Sequence, residues 1–331
     1  MNLQDRIELL CRLGEYLKND TTEWQQIKQN AFAKNGWFTP LFTDYACTQI
    51  ADNFLQKDLL EKWVAHYHID DNISPKNIGI VMAGNIPLVG FQDFLAVFIS
   101  GHYQTIKLSS KDDILLKHLV KIMYSHNVEI QNHISFAEIL KGCDAYIATG
   151  SNNSGRYFEQ YFSKYPHIIR KNRTSVAVLD GNETNEQLEK LSDDIHLYFG
   201  FGCRNVTKIF VPDQYDFVPL LKAFDKYKYF NDHHKYKNNF DYQLSILLLN
   251  NIFYMTNGTT LLVENKAPFS PVSQLHFEYY QPHAHPINYL QKDEEIQCIV
   301  AKDFVPFGST QKPGLMTYAD GVDTMQFLLS I

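Results

Sequence analysis

The sequence predicts an α/β protein: parallel sheets in two lobes, with a helical segment ahead of them. Three observations predict it. From residue 77 onward, short apolar runs alternate with helical stretches, the rhythm of repeated βαβ units. That rhythm restarts near residue 181, and 331 residues suit two domains of roughly 100–200 residues each. The first 70 residues instead place Leu3, Ile7, Leu10, Leu13 and Leu17 at helical spacing.

The elements follow in order. Asp71-Asn72-Ile73-Ser74-Pro75-Lys76 is a loop by its turn residues. "NIGIVMA" (77–83) is a strand, and Gly84-Asn85-Ile86-Pro87 is a turn whose proline suits the first turn of a helix running to about residue 100. "HYQTIKL" (102–108) is a second strand. A helix over 112–125 follows, with Leu115, Leu116, Leu119, Ile122 and Met123 on one stripe. "DAYIATG" (144–150) and "SVAVLD" (175–180) are further strands, with a helix near 153–165 between them. Thr184 and Gln187 have capping-box spacing and open a helix to about residue 199, which Gly200 and Gly202 end. "NVTKIFVP" (205–212) is the next strand. Helices near 217–227 and 242–251 precede strands over 259–264, 274–280 and 296–302. A Gly/Pro-rich tail begins at Phe307. The domains expected are 1–180, 181–306 and a tail over 307–331.

Composition narrows the function classes. Apolar residues make up 45% and charged residues 20%, ordinary for a globular chain. The net charge of −7 offers no basic surplus for phosphates, which argues against a nucleic-acid partner. The most apolar region, 87–101, is short and broken by Gln92 and Asp93, so no membrane span is expected. The five cysteines are scattered, with no C-x-x-C pair. That opposes a zinc ribbon, a redox dithiol or a disulfide framework, and fits a reducing cytoplasm. His233-His234 and His283-x-His285 lack carboxylates at matching spacing, so no metal is assigned.

Ligands of open parallel sheets bind beyond the carboxyl ends of strands. Two turns fall there: the one carrying Asn85, and Ala148-Thr149-Gly150-Ser151-Asn152-Asn153-Ser154-Gly155. The second turn suits a phosphate at a helix N-terminus, or is turn chemistry alone. Asn85 is an ordinary turn residue or an amide donor to an oxyanion. Lys107, near the end of an apolar strand, reads as a solvated lysine. "FGFGCRN" (199–205) holds Cys203 between glycines and an Arg-Asn pair. It is either a small residue packed in a tight turn or a nucleophile given room by those glycines. Cys11 and Cys298 sit in predicted core elements, and Cys47 and Cys143 have no activating context. His196 lies two helical turns before Cys203, which does not pair their side chains.

Taken in order, "GIVMAGNIPLVGFQDFLAVFISGHYQTIKLSS", "ATGSNNSG", "NRTSVAVLDGNE" and "FGFGCRNVTKIFVP" resemble the aldehyde dehydrogenase superfamily, and most closely its LuxC-like acyl-CoA reductase branch. The resemblance covers residues 77–212, and "FGSTQKPGLMTYADGVDTMQFL" is similar to the end of short members. It implies an aldehyde-dehydrogenase-like fold of two Rossmann-like three-layer αβα lobes, with the tail returning to the cofactor domain. It implies Cys203 as nucleophile and Asn85 in the oxyanion hole. Lys107, Ser109 and Ser110 would lie along the adenosine ribose, and Thr149, Gly150, Ser151 and Gly155 would meet the dinucleotide. The activity implied is NADPH-dependent reduction of an acyl-CoA thioester to an aldehyde, with NADH as the other cofactor considered. A homo-oligomer and an acyl-activating partner enzyme are the protein partners it suggests. Two family features are missing. Residues 168–173 hold no glutamate to activate water, and no Glu-x-Phe-Gly-Pro motif is present, Glu264 being its nearest counterpart. The readings weighed beside it are a cysteine acyltransferase or thioesterase, and a non-catalytic nucleotide-binding member of the fold.

Overall fold

The computed structural model describes residues 1–281 and 285–331. His283 of the second histidine pair lies outside them. The chain divides into two compact units: Met1–Asn172 with Pro313–Ile331, and Arg173–Lys312.

The first unit opens with helices α1 (Leu3–Lys18), α2 (Thr22–Lys34), α3 (Pro40–Asn53) and α4 (Lys57–His66). Asn2, Thr21 and Thr39 cap the first three, each accepting a first-turn backbone amide, a bond of about 1 kcal/mol. Ile7, Leu10, Leu13 and Leu17 are all buried, so the helical spacing of the N-terminus is a core-facing stripe.

Next come β1 (Asn77–Val81), α5 (Phe91–Ser100), β2 (Tyr103–Lys107), α6 (Leu115–His126), α7 (Ile130–His133), β3 (Ile134–Phe136), β4 (Ala145–Thr149), α8 (Asn152–Phe162) and β5 (His167–Arg170). The strands form one parallel sheet in the order β3-β2-β1-β4-β5. The chain winds outward from β1 and then restarts at β4, which makes the β1/β4 boundary the topological switch point. Ile78, Ile80, Ala145 and Ile147 join the core formed with α5, α6 and the N-terminal helices. On the alternate face Tyr146 stacks on Phe162 of α8 at 4.1 Å between ring centroids. Helices thus lie on both sides. The edge strands β3 and β5 are absent from the sequence pattern, being short and flanked by polar residues.

The segment from Pro313 returns to this unit. Trp63 Nε1 donates to the Tyr318 hydroxyl at 2.9 Å, and the Tyr67 hydroxyl donates to Asp323 at 2.6 Å. Arg170, at the end of β5, is buried. Its guanidinium pairs with Asp93 on α5 at 2.6 Å and donates to the Ala319 carbonyl and the Thr324 hydroxyl.

The second unit contains β6 (Thr174–Val178), α9 (Asn185–His196), β7 (Val206–Pro212), α10 (Val218–Ala223), α11 (His234–Leu249), β8 (Met255–Thr256), β9 (Leu261–Glu264), β10 (Gln274–Tyr280), α12 (Ile287–Leu290) and β11 (Ile296–Val300). Its sheet runs β11-β6-β7-β10-β9-β8, parallel except for the β8/β9 pair. Leu188, Leu191 and Ile195 of α9 pack with Leu220 of α10 on one face, against Ala177, Ile209 and Leu275. Val176, Val178 and Phe210 face the other way, toward Leu290 of α12.

Two expected boundaries shift. The strand expected over 175–180 closes the first expected domain, but its counterpart β6 pairs with β7 and β11, so the division falls after Asn172. The tail does not leave at Phe307. Asp194 on α9 accepts the Gly308 amide at 2.6 Å and the Thr310 amide at 3.0 Å, which keeps that stretch in the second unit.

Candidate functional site

The residues expected at the cofactor gather on one edge of the first sheet. β1, β2 and β4 are adjacent and parallel, so their carboxyl ends point the same way. Asn85 follows β1, Lys107 ends β2 with Ser109 and Ser110 just beyond, and Thr149 ends β4 with Gly150 and Ser151 beyond it. Asn85, Lys107, Ser110 and Ser151 are exposed. Ser151 is the N-cap of α8 and accepts the Ser154 amide at 3.3 Å, so this turn aims the first amides of a helix over the sheet edge. A Cβ on Gly150 would lie 2.8 Å from Ser154 Cβ and 2.9 Å from Phe158, which explains the glycine. Gly155 is placed differently. It is buried inside the first turns of α8, on the face toward Ile169 and Lys171.

The turn bearing Asn85 is locked to the loop bearing Ser109. A Cβ on Gly84 would sit 2.7 Å from Ser109 Oγ. The backbone adds a bond from the Met82 amide to the Lys107 carbonyl at 3.0 Å.

Cys203 belongs to the second unit, on the loop between α9 and β7. The capping box forms as its spacing predicts: Gln187 N donates to Thr184 Oγ1 and Thr184 N to Gln187 Oε1. The helix nevertheless stops at His196, short of the expected glycines. Tyr198 (φ 55°), Phe199 (φ 56°) and Gly200 (φ 79°) then adopt left-handed backbone in succession. For the two aromatic residues that costs roughly 1–2 kcal/mol each. Packing offsets it, since Phe199 lies 4.5 Å from the Phe230 ring and 4.6 Å from the His233 ring.

Asn205 fastens this loop, and sequence reasoning did not single it out. It is fully buried. Its Nδ2 donates to the carbonyls of Asp194, Ile195 and Leu197, at 3.1, 3.3 and 2.8 Å, while Oδ1 accepts the Gly202 amide at 2.8 Å. The orphan carbonyls at the end of α9 are thereby tied to the residue just before Cys203. Ser175 Oγ donates to the Cys203 carbonyl at 3.0 Å and also contacts Cys298 Sγ at 3.0 Å.

The other four thiols are disfavoured as thiolates. Burial pushes Cys47 up to about 12 and raises Cys11, Cys143 and Cys298. Cys203 is partly exposed. His196 is no partner for it. The ring is buried, with Nδ1 donating to the Ser192 carbonyl at 2.8 Å and Nε2 at 2.8 Å from Thr260 Oγ1. Desolvation pushes it down to about 4, so it is a neutral core histidine at pH 7. Among the described residues no group of three or more His, Cys, Asp or Glu side chains could hold a metal ion. No helix among them is long and apolar enough to cross a membrane.

Arg170 corrects an expectation. In the sequence it forms a basic cluster with Lys171 and Arg173, which suits either a contact for coenzyme A phosphates or a solvated loop. It is instead a buried structural cation paired with Asp93. Lys171 pairs with Glu159 at 2.8 Å. Glu264 lies exposed at the carboxyl end of β9.

Residues 47–221, more than half of the chain, match the family described as acyl-CoA reductase (LuxC). The chain belongs to the LuxC acyl-CoA reductase family. That places it among oxidoreductases acting on acyl or aldehyde groups. Solved structures of the aldehyde dehydrogenase fold match at low identity. An aldehyde dehydrogenase from Physcomitrella patens, crystallised with its reaction product succinate, is 15% identical with a TM-score of 0.67, over 92% of this chain and 74% of that one. An NAD-dependent aldehyde dehydrogenase from Sinorhizobium meliloti is 8% identical with a TM-score of 0.68, over 94% and 72%. An NADP-dependent enzyme from E. coli is 11% identical with a TM-score of 0.66, over 92% and 74%. These likenesses establish the aldehyde-dehydrogenase-like fold for this LuxC-family chain. No curated protein sequence matches it.

Proposed function

We propose that the protein reduces an acyl-CoA thioester to an aldehyde, with NADPH, through an acyl intermediate on Cys203. One observation carries the reading. In a chain of the acyl-CoA reductase family, Cys203 stands partly exposed on a glycine-flanked loop, while burial raises the other four thiols.

In the proposed reaction the Cys203 thiolate attacks the thioester carbonyl. A new carbon–sulfur bond forms to Sγ, the bond to coenzyme A sulfur breaks, and the coenzyme leaves as its thiolate. The Asn85 side-chain amide and the Cys203 backbone N–H donate to the oxyanion, and removing one such donor typically costs about 2.7–4 kcal/mol. The pairing of Asn85 with Cys203 rests on the family's chemistry. NADPH, when bound, supplies the hydride that turns the acyl carbon into the aldehyde carbon. The bond to Sγ then breaks and Cys203 regains its thiolate.

The first sheet fits such a cofactor. Its exposed carboxyl edge at the switch point presents Lys107 and Ser110 on one side and the Thr149-Gly150-Ser151 turn on the other. Lys107 and the hydroxyls of Ser109 and Ser110 suit a 2′-phosphate, which favours NADPH over NADH. Residues 168–173 offer no carboxylate to activate water, and Arg170 there is committed to Asp93. The intermediate is thereby kept for reduction rather than hydrolysis. We place the reaction in a reducing cytoplasm, in a homo-oligomer, downstream of an acyl-activating enzyme that supplies the thioester.

The test follows NADPH absorbance over an acyl-CoA chain-length series, wild type beside Cys203→Ser. The wild type should oxidise NADPH. The variant should lose turnover by a factor on the order of 10⁴ or more and keep NADPH binding. Coenzyme A release without NADPH oxidation would identify an acyltransferase or thioesterase instead. Undiminished turnover in the variant would remove Cys203 from the reaction.

A further inference from the structure

Asp112 is a buried carboxylate that the reaction above does not use. It follows β2, five residues after Lys107, and is 7% exposed. Its Oδ2 accepts the Leu88 amide at 2.7 Å. Its Oδ1 is buried without a hydrogen-bond partner among the described residues. Such an oxygen is costly to bury and calls for a reason.

A ligand is not the reason. The cavity beside it, lined by Met82, Leu88, Phe91, Leu108 and Leu116, measures about 10 Å³, room for one water at most. The bond to Leu88 is more informative. Leu88 has φ 56°, left-handed backbone that a leucine does not adopt unaided. It lies three residues beyond Asn85, in the turn before α5. The Asp112 backbone closes the other side, its amide donating to the Ser109 carbonyl at 3.0 Å. Ser109 is in turn the residue against which Gly84 is packed. One residue therefore touches both the loop of Lys107, Ser109 and Ser110 and the turn of Asn85.

We propose that Asp112 is a positioning residue that ties the Asn85 turn to the Ser109 loop, so that filling the loop with cofactor and placing the Asn85 amide are one event. The inference rests on the functional reading above, in which the loop receives NADPH and Asn85 serves the oxyanion. Asp112 acts through Asn85 and touches no reacting atom. The Asp112 side chain supplies the acceptor that holds the Leu88 amide in place.

The test compares Asp112→Leu, which has no acceptor, with Asp112→Asn, which keeps one. Hydrogen exchange of residues 83–91 is followed with and without saturating NADPH. In the wild type, NADPH should slow exchange in this segment. Asp112→Leu should bind NADPH yet lose that protection, and Asp112→Asn should restore it. In turnover, Asp112→Leu should lower kcat about 10–100-fold, and combining it with Asn85→Ala should add little beyond Asn85→Ala alone. Full additivity, or equal NADPH protection in Asp112→Leu and wild type, overturns the inference while leaving the function standing. Failure of the wild type to bind NADPH overturns the function, and the inference with it. Should Asp112→Leu not fold, Asp112→Ser replaces it, its shorter hydroxyl falling short of the Leu88 amide.

Discussion

The Cys203 loop and the Asn85 turn each depend on left-handed backbone at bulky residues. In the loop these are Tyr198 and Phe199, and in the turn it is Leu88, all with φ of 55–56°. The two are held differently. Around Cys203 the fastener is the Asn205 amide, whose donors and acceptor all meet backbone partners, helped by the aromatic packing of Phe199. Around Asn85 it is a single carboxylate bond to the Leu88 amide, with the second oxygen idle. A neutral, fully paired amide makes a fixture indifferent to pH. A half-paired carboxyl makes one that titrates, since burial pushes Asp112 up to about 7.

The largest expected effect separates the chemistry from its supports. Asn85→Ala should lower kcat by about 10²–10³. Its side chain is exposed, so the melting temperature should hold, with any stability change within about 0.5 kcal/mol. A melting loss as large as the kinetic loss would make Asn85 a structural residue. Asn205→Ala should show the reverse pattern. Stranding the buried carbonyls and the Gly202 amide should cost about 3 kcal/mol, read as a melting shift of roughly 6–12 °C. Alkylation of Cys203 should change rate along with it.

The pH dependence sharpens the contrast further. Between pH 4 and 7 the unfolded chain loses the Asp112 proton while the folded chain keeps it. The unfolded state then binds fewer protons, and this group makes stability fall as pH rises. Asp112→Asn removes that fall, so its melting temperature should gain on the wild type from pH 4 to 8. A constant difference would mean that Asp112 does not titrate in this range. His196, pushed down to about 4, works in the opposite sense. Its unfolded form takes up a proton first, so its contribution grows as pH rises from 4 to 6.5. The smallest effect concerns cofactor choice: Lys107→Ala should raise KM for NADPH about 5–10-fold, equivalent to roughly 1–1.4 kcal/mol, and leave KM for NADH nearly unchanged.

Much of this was visible in the residues. The βαβ rhythm located β1, β2, β4, β6 and β7, and the Thr184–Gln187 capping box forms as its spacing predicts. Turn chemistry marked the strand ends on which Asn85 and Thr149 sit. What the residues do not signal depends on tertiary contact. β3 and β5 are short edge strands with no periodicity of their own. The end of α9 falls earlier than the sequence predicts because Tyr198 and Phe199 read as helical, while in the fold the Phe199 ring packs on Phe230 and His233. Arg170 reads as a surface cation until Asp93 and the returning C-terminal segment enclose it. The hairpin of β8 and β9 carries a local signal, Asn257-Gly258, a favoured tight-turn pair. Asn205 and Asp112 carry no pattern at all, since a buried polar residue is defined by partners far along the chain.

The interleaving of the two units bears on how the chain is made. The first unit is split in sequence: its polypeptide stops at Asn172 and resumes only at Pro313. A ribosome therefore finishes the whole of the cysteine-bearing unit before it delivers the residues that satisfy Arg170 and Trp63. Until then the sheet of the first unit waits with a guanidinium and an indole that lack their C-terminal contacts. A nascent chain halted near Lys312 would expose that unfinished surface to proteases and chaperones while its neighbour is already closed.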